Sequence, residues 1–401
     1  MEEVRTNSDS AEEAVTQWIR SNAYAIATID PQAPYTDLEP LANIFRNSTV
    51  IGIGESTRGA RSAHQIYLIK DRLTRFLVEY LGFRTLFLET DWTVGMQLNE
   101  YLRTGKGDPE ALLTAAWGPL QTEEVLDALC WMHSYNVQNP DDTIRVFGGY
   151  FGAGHVQVFD EVANYVRINA PEQLDELETH YSFLRPSGEI DKHVEWYSSQ
   201  LNKQPFIDHA RLAYQLIAKL PRNDGHELAL QHSRFILGFY ECEGFESLDL
   251  DHRMANNMIW WQENTGDKVV YWGGIAHTAK DSLLATGRSA GSYLHEYFGL
   301  GYTSLGVTFH HGLGADYIPE PSAEFAEAVL GEVDLDSYLL NLNATQPDTV
   351  RAWLNTPTKI RVIGPYYDPE KDSTFHMVGP LAKWFDIIIH FQEITAARNL
   401  F

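Results

Sequence analysis

The sequence predicts an α/β fold in which a mostly parallel central sheet is flanked by helices and carries an inserted all-helical subdomain. Three observations lead to this prediction. Short apolar runs recur along the chain with helical stretches between them, which is the pattern of a parallel sheet buried on both faces. Residues 154–264 show helical periodicity without a strand signal. The length of 401 residues is sufficient for a large α/β domain with such an insertion.

Seven short, mostly apolar runs are expected to form strands. They are Thr49–Gly54, Thr85–Glu89, Ile144–Gly149, Lys268–Gly273, Thr303–Phe309, Lys359–Ile363 and Asp386–Phe391. The clearest helix is Ser62–Tyr80, because its apolar residues recur at spacings of three and four and so form one core-facing stripe. Gly82 is expected to end this helix.

The predicted insertion divides the chain into two parts. Residues 1–153 and 266–401 are expected to form the α/β core that carries the site, and residues 154–265 the helical insertion. An insertion that leaves a strand at its carboxyl end could act as the wall or lid of a site there. Its predicted helices are Val156–Ile168, Ile207–Leu220, His226–Phe239 and His252–Glu263.

Composition limits the classes of partner. The 55 acidic and 30 basic residues give a formal charge of −25, which argues against nucleic-acid binding because phosphate contacts need a cationic surface. The polar, acidic N-terminus lacks the features of a secretory signal, and no run approaches the roughly 20 apolar residues of a membrane-spanning helix. We therefore expect a soluble cytoplasmic protein with no nucleic-acid or membrane partner. The two cysteines, Cys130 and Cys242, have no metal or redox spacing.

Charged side chains follow two of the predicted strands. Glu55 and Arg58 come after the first strand and Glu89 ends the second. Active sites of open α/β sheets lie at the carboxyl ends of the strands, so these residues are expected to form an acidic site around one arginine. Two carboxylates that approach each other could act as an acid and a base, although each could instead be a structural cap.

The chain resembles the erythromycin esterase family over nearly its whole length. The strongest match is Gly54–Trp92, which reads GESTRGARSAHQIYLIKDRLTRFLVEYLGFRTLFLETDW. The resemblance implies an enzyme that hydrolyses an ester or lactone in an apolar small molecule. No cofactor is expected. Further matches are Trp131–Asn136, Met254–Asn257, Trp272–His277, Ile363, Ser373–His376, His390 and Thr395.

This sequence departs from the family pattern at the positions that matter most for water activation. The family's water-activating histidine corresponds to Arg58, and a guanidinium stays protonated and cannot accept a proton from water. The first histidine of the W-x-H-N-x-H motif corresponds to Gly274, whereas the second is kept as His277. The resemblance therefore implies Glu55, Glu89, His277 and Arg58 as catalytic residues. Arg58 could stabilise an oxyanion, clamp a substrate carboxylate, or form an ion pair only.

Further side chains are expected near the same strand ends as substrate-binding residues. His64 lies at the start of the long helix and could replace the missing imidazole, and Trp92 could line an apolar pocket. Tyr150 corresponds to a position where the family commonly has aspartate. Of the adjacent His310 and His311, at most one is expected to enter the pocket, and His376 matches the family's tail motif loosely.

The sequence lacks the motifs of several common catalytic and binding sites. It contains no G-x-S-x-G nucleophile elbow, no H-E-x-x-H motif and no phosphate-binding G-x-x-x-x-G-K-S/T loop. The single His–His pair is weak support for a metal. Three functions stay open at this point: a hydrolase, a lyase, cyclase or isomerase of a secondary-metabolite pathway on the same scaffold, and an inactive relative that binds its ligand.

Overall fold

A computed structural model describes residues 2–58, 63–150, 156–187, 190–241, 250–281, 287–314, 317–364 and 367–400. The strands are β1 Ala23–Ala25, β2 Val50–Glu55, β3 Phe83–Asp91, β4 Arg145–Tyr150, β5 Lys268–Gly274, β6 Tyr302–Leu313, β7 Tyr317–Ile318, β8 Ser337–Asn341, β9 Thr358–Arg361, β10 His376–Gly379 and β11 Ile387–Thr395. The first helices are α1 Glu2–Asn22, α2 Glu39–Phe45, α3 His64–Leu81, α4 Trp92–Thr104, α5 Pro109–Leu113, α6 Glu123–Gln138, α7 Val156–Asn169 and α8 Leu174–Tyr181. The remaining helices are α9 Ile190–Ser198, α10 Gln204–Lys219, α11 His226–Glu241, α12 Leu250–Thr265, α13 Ile275–Thr278, α14 Ala290–Phe298, α15 Ala326–Leu330, α16 Asp348–Asn355 and α17 Leu381–Trp384.

The main sheet has the strand order β1-β8-β11-β6-β2-β5-β3-β4, with β7 added at the end of β6. The pairs from β11 through β6, β2 and β5 to β3 are parallel, whereas β8 runs antiparallel to both β11 and β1. The predicted fold class, a mostly parallel α/β sheet flanked by helices, is confirmed. Because β2, β5 and β3 are parallel neighbours, their carboxyl ends meet at one edge.

One predicted strand lies elsewhere. The run Lys359–Ile363 was expected in the central sheet, but its β9 pairs with β10 in a separate two-stranded antiparallel sheet. Strand β9 is short and only its last two residues are buried, so it lacks the continuous burial that the central strands show. Strand β8, which the sequence analysis did not predict, takes a place beside β11 instead.

Helix α3 follows the predicted pattern closely. Its buried side includes Ile66, Ile69 and Leu73, and it ends at Gly82, whose φ of 72° is the left-handed conformation that glycine adopts most easily. The helix begins shortly after β2 and so extends from the edge of the sheet where the candidate site lies.

Gly54 is a glycine because the end of β2 lies very close to the turn after β5. A Cβ on Gly54 would lie 2.7 Å from the Cα of Ile275, which is the first residue of α13. A side chain at position 54 would therefore displace α13. This contact holds the segment that carries His277 directly against the end of β2.

The residues fall into two compact units. One consists of residues 1–89, 98–146 and 251–401 and contains most of the sheet. The other consists of residues 90–97 and 147–250, and between residues 156 and 241 its described part is helical. The predicted insertion was residues 154–265, so the helical unit begins and ends earlier. Its role as a wall or lid stays a prediction.

The helical unit has a core of its own. Helices α7, α8, α10 and α11 contribute fully buried side chains that include Phe159, Val162, Tyr181, Ile217 and Tyr240. None of the helices in the described part of the chain has the length and apolarity needed to cross a bilayer.

Candidate active site

Strands β2 and β3 bring Glu55 and Glu89 to the same edge of the sheet. Glu55 is the last residue of β2 and lies beside Gly274 of β5, while Leu88 of β3 lies beside Trp272 of the same strand. The Glu55 and Glu89 side chains are 6% and 2% exposed. The carboxylates are thus held next to each other and almost removed from water, as the sequence predicts for a pair at one rim.

Arg58 connects these two carboxylates. Its Nε donates to Glu55 Oε1 at 3.1 Å, and its Nη2 donates to Glu89 Oε2. The guanidinium carbon also lies 4.7 Å from the centre of the Trp117 ring, a cation–π contact. Only 11% of the Arg58 side chain is exposed, so both ion pairs are buried.

Lys70 is the fourth member of this cluster, and the sequence analysis did not include it. Its Nζ donates to Glu55 Oε2 and, at 3.3 Å, to the Gly273 carbonyl, and the side chain is 1% exposed. Burial lowers the pKa of Lys70, although the neighbouring Glu55 carboxylate acts in the opposite direction. The spacing could have revealed Lys70, because it follows Ile66 by four residues and precedes Leu73 by three, and so lies on the buried side of α3.

Glu89 accepts two further hydrogen bonds at its other oxygen. The Tyr271 hydroxyl donates to Oε1 at 2.7 Å and the Gly274 backbone N–H donates at 3.1 Å. Two carboxylates and two cations leave the cluster of Glu55, Arg58, Lys70 and Glu89 with no formal net charge. Both oxygens of each carboxylate are thus engaged by hydrogen bonds or ion pairs.

Arg58 and Gly274 fit each other in space. A Cβ on Gly274 would lie 2.5 Å from Cζ of Arg58, which is closer than real Cβ contacts come. Gly274 has a φ of −70°, so its backbone does not require glycine. The absent side chain makes room for the guanidinium. The two positions at which the sequence is expected to depart from the family motif therefore lie against each other.

His277 lies three residues after Gly274, in the short helix α13. Its Nδ1 is 2.8 Å from Asp251 Oδ1, and the same oxygen accepts the Ala290 backbone N–H at 2.7 Å. A neutral His277 that donates its Nδ1–H to Asp251 has its lone pair on Nε2, which has no partner among the described residues. Asp251 lies 26 residues before His277, so no local motif in the sequence could indicate this pair.

His64 does not join the cluster. Its Nδ1 lies 2.5 Å from Glu124 Oε1, and its ring faces a cavity of about 1050 Å³ beside α3. Tyr35, Arg75 and Trp131 also line this cavity, but Glu55, Arg58, Glu89 and His277 do not. The proposed replacement of the missing imidazole by His64 therefore receives no support from its contacts.

The other expected substrate-binding residues lie in separate surroundings. Trp92 is fully buried within the helical unit, where the centroid of its ring lies 4.4 Å from the centroid of the Phe235 ring. The His376 ring packs edge-on against Phe325 in the β9–β10 region. Of Tyr150, the described part of the structure includes the backbone in β4 but not the side chain. Substrate binding by these residues stays a prediction.

His310 and His311 contact each other rather than facing apart. Their Nδ1 atoms are 3.0 Å apart and their ring planes are nearly perpendicular at 85°. The pair lies beyond Val307, the residue of β6 that is paired with Glu55. The expectation that at most one of the two enters a substrate pocket stays a prediction.

Comparison with known proteins connects this architecture to a family. A family model described as erythromycin esterase matches residues 78–394. The erythromycin esterase type II of Escherichia coli is 22% identical over 349 residues, which cover 77% of this chain and 80% of that protein.

Three solved structures have a similar fold. A Bacillus cereus protein has a TM-score of 0.87 at 24% identity, and a succinoglycan biosynthesis protein has 0.84 at 25%. Both comparisons cover 97% of this chain and 99% of the other. A mutant of the erythromycin esterase EreC in its open conformation has a TM-score of 0.71 at 15% identity, covering 93% and 98% of the two chains. The fold, together with a family match over most of the sequence, shows that this chain belongs to the erythromycin esterase family.

Proposed function

We propose that this protein hydrolyses a carboxylic ester or lactone of a small molecule, with His277 as the general base. The observation that carries the proposal is the Asp251–His277 pair. A carboxylate that holds Nδ1–H directs the basic Nε2 outward and stabilises the imidazolium formed when a proton is taken up. Family membership supports the reaction class. His277 follows Gly274 by three residues, and Gly274 lies against the Arg58 guanidinium.

The reaction can be written with the residues of this site. His277 Nε2 removes a proton from water as the oxygen attacks the carbonyl carbon, and negative charge develops on the carbonyl oxygen. The Arg58 guanidinium supplies the positive charge that stabilises this oxyanion. When the tetrahedral intermediate collapses, the carbon–oxygen bond to the leaving alcohol breaks, and the imidazolium returns its proton to that alcohol.

Glu55 and Glu89 have a positioning role in this proposal. Both carboxylates form ion pairs with Arg58, and Glu55 is also paired with Lys70. Because both carboxylates are engaged by these cations, the role of general base is assigned to His277 instead. Their contribution is to hold the guanidinium in one orientation, which is the condition for preorganised charge stabilisation.

The direct experiment is an esterase assay on three variants. Activated aryl esters and macrolide lactones serve as substrates, and mass spectrometry identifies hydrolysis by the gain of one water. We expect His277→Ala and Asp251→Asn each to lower kcat by about 10²- to 10⁴-fold, the usual contribution of general acid–base catalysis. His295→Ala is the control, since within the described part of the chain the His295 ring hydrogen-bonds to the Gly299 carbonyl after α14 and to no residue of the site. Full turnover by His277→Ala would exclude this mechanism.

A second candidate is a relative that binds its ligand or rearranges it without adding water. The observation that favours it is the cluster of two carboxylates and two cations, which leaves neither glutamate as a free base. The same mass measurement separates the candidates. A lyase, cyclase or isomerase would give products of reduced or unchanged mass, and a binding protein would show stoichiometric binding by calorimetry without any product.

A further inference from the structure

A group of metal-ligating side chains lies outside the site described above. His310 and His311, at the end of β6, and Glu320, after β7, each offer one ligand atom, and these three atoms lie within 4.8 Å of one another. We propose that His310, His311 and Glu320 form a binding site for a divalent transition-metal ion, with Zn²⁺ as the best fit. The proposal is independent of the proposed esterase reaction.

The spacing of the two imidazoles matches metal coordination. Zn–N bonds of about 2.0–2.1 Å at a tetrahedral angle place two ligand nitrogens about 3.3 Å apart. The Nδ1 atoms of His310 and His311 are 3.0 Å apart, so a small rotation of either ring reaches that spacing. A direct hydrogen bond between these nitrogens would require that one Nδ1 carries a proton and the other does not. A metal ion would instead be coordinated by the lone pairs of two unprotonated Nδ1 atoms.

Buried Arg361 fixes the two backbone segments that carry the ligands. Its Nη1 donates to the His310 carbonyl at 2.8 Å, and its Nη2 donates to the Pro319 carbonyl at 3.0 Å. Its side chain is completely buried, and its charge is paired with Asp372 at 2.9 Å. Pairing of Gly312 with Ile318 between β6 and β7 adds a second connection between the same segments. The backbone therefore brings Glu320 toward the two histidines before any ion is bound.

Gly331 provides the space in which the His310 ring lies. A Cβ at this position would come within 2.9 Å of both Cγ and Nε2 of His310. The φ of −72° at Gly331 is available to any residue, so the backbone conformation does not account for glycine here. The absent side chain allows the imidazole to pack closely at the end of α15, and this packing restricts the ring to the neighbourhood of His311.

The donor set indicates the class of ion. Two imidazole nitrogens and one carboxylate oxygen suit Zn²⁺ and other first-row transition metals, whereas Mg²⁺ and Ca²⁺ are bound mainly by oxygen ligands. Three protein ligands leave a fourth tetrahedral position for water or another small ligand. Glu320 is exposed and the histidines are partly exposed, so an ion can reach the site from solvent.

The test is a titration of the tag-free, chelator-treated full chain with Zn²⁺ alone, followed by calorimetry, and with Co²⁺ alone, followed by visible absorption. We expect one equivalent of Zn²⁺ to bind. His311→Ala and Glu320→Gln should each weaken binding by at least about 100-fold, because changes outside the ligand shell already cost about 10- to 100-fold. The Co²⁺ absorption bands should be lost in the same two variants.

The chain offers a matched control pair. The Nδ1 atoms of His180 and His209 are 2.9 Å apart, but no carboxylate completes that group within the described residues. His209→Ala should therefore leave Zn²⁺ affinity unchanged. The proposal is wrong if the starting protein binds no stoichiometric Zn²⁺, or if His311→Ala and Glu320→Gln bind it as tightly as the starting protein does. Because Glu320 is exposed, Glu320→Gln is expected to fold normally, and circular dichroism verifies this.

Discussion

Arg58 is the side chain that organises the candidate active site at the scale of single residues. It bonds to one carboxylate through Nε and to the other through Nη2, a geometry that depends on the planar guanidinium. A lysine has one compact charged group and cannot reproduce two bonds that diverge from a planar fork. The two ion pairs therefore require the planar shape of the guanidinium as well as its positive charge.

This specificity gives the first prediction. Arg58→Lys keeps the positive charge but loses one of the two carboxylate contacts, so the charge is no longer held where the oxyanion would form. We expect kcat/KM for ester hydrolysis to fall by about 10²- to 10³-fold, the range found when one oxyanion donor is removed. Arg103→Lys is the control, because Arg103 is exposed and its ionic partner among the described residues is Glu100, three residues before it. Equal activity of the two variants would contradict an oxyanion role for Arg58.

Gly274 gives the second prediction, which concerns packing. Gly274→Ala places a methyl group against the guanidinium of Arg58, and insertion of extra volume into a filled region costs about 1–3 kcal/mol. We expect the free energy of unfolding to fall by about that amount in a urea titration, with a parallel loss of turnover. Gly118→Ala is the control, since a Cβ there meets nothing within 4 Å. If Gly274→Ala is as stable as Gly118→Ala, Arg58 does not occupy the space beside Gly274.

At the scale of elements, helix α3 contributes more than an apolar face. Lys70, Asp71, Arg72 and Arg75 are all buried on it. Each has an ionic partner: Lys70 pairs with Glu55, Asp71 with Arg75, and Arg72 with Asp37. Buried charges of this kind are tolerated only when they are paired. One of these pairs, Lys70–Glu55, connects the helix to the active-site edge of the sheet, in addition to the contacts of its apolar stripe.

The third prediction tests the role of α3. Lys70→Met leaves Glu55 buried with one cation fewer, and breaking a buried pair in this way costs about 3–5 kcal/mol. We expect a loss of that size in unfolding free energy, and a partial recovery in the double variant Lys70→Met/Glu55→Gln, because the surplus negative charge of the cluster is then removed. Lys219→Met provides the comparison, since Lys219 is exposed at the end of α10. A destabilisation no larger than that of Lys219→Met would contradict the buried ion pair.

Helix α11 gives the fourth prediction, which concerns pH. Burial lowers the pKa of His232 to about 4, from an ordinary value of about 6.5. Between pH 6.5 and 4 the unfolded chain binds a proton at this histidine that the folded chain does not. The contribution of His232 to the free energy of unfolding is therefore fully present above pH 6.5. It decreases by about 3 kcal/mol as the pH falls toward 4.

His232→Gln isolates this contribution by urea unfolding at pH 7 and pH 4.5. The variant should lose less stability between these two pH values than the starting protein does, since glutamine does not titrate. His295→Gln serves as the comparison, because it makes the same substitution at a histidine that is partly exposed. An unaltered pH dependence in His232→Gln would mean that His232 is protonated equally in the folded and unfolded chains.

The elements also show what the sequence could predict and why. Strands β2, β3, β5 and helix α3 were predicted because each is buried over its whole length or along one periodic stripe, which leaves a pattern in the sequence. Strands β1 and β8 leave weaker patterns. The three residues of β1 are at most partly buried, and β8 has only five residues, of which the central three are buried. Their places in the sheet depend on pairing with residues distant in the sequence, and hydrophobic periodicity gives no information about such pairing.

The same reasoning applies to the site. Glu55 and Glu89 were predictable because strand ends in a parallel sheet converge, and the family motif marks them. Asp251 was not predicted, since its role depends on a contact with a residue 26 positions away. Lys70 was not predicted although the helical spacing places it on the buried side of α3, because its partner Glu55 lies 15 positions away. Glu320 likewise comes close to His310 only because β7 folds back on β6. Residues that act through tertiary contacts alone carry no signal in a single sequence.

At the scale of the whole molecule, the dominant property is the formal charge of −25. Many of the basic side chains are committed to ion pairs, including Arg58, Lys70, Arg72, Arg75 and Arg361. The remaining acidic groups therefore repel one another, and such self-repulsion destabilises a compact chain. This surplus is a property of the complete sequence rather than of any one site.

The fifth prediction follows from this charge. The Debye length is about 30 Å at 0.01 M salt and about 8 Å at 0.15 M, so added NaCl shortens the range of repulsion between exposed carboxylates. We expect the Tm measured by calorimetry at pH 7.5 to rise when NaCl is increased between these concentrations, while the buried ion pairs around Arg58 are screened much less. A sucrose solution of equal osmolality controls for preferential exclusion, since it leaves the charges unscreened. A Tm that falls with NaCl would mean that screening of attractive surface pairs outweighs the relief of repulsion, and that the net charge does not limit the stability of this protein.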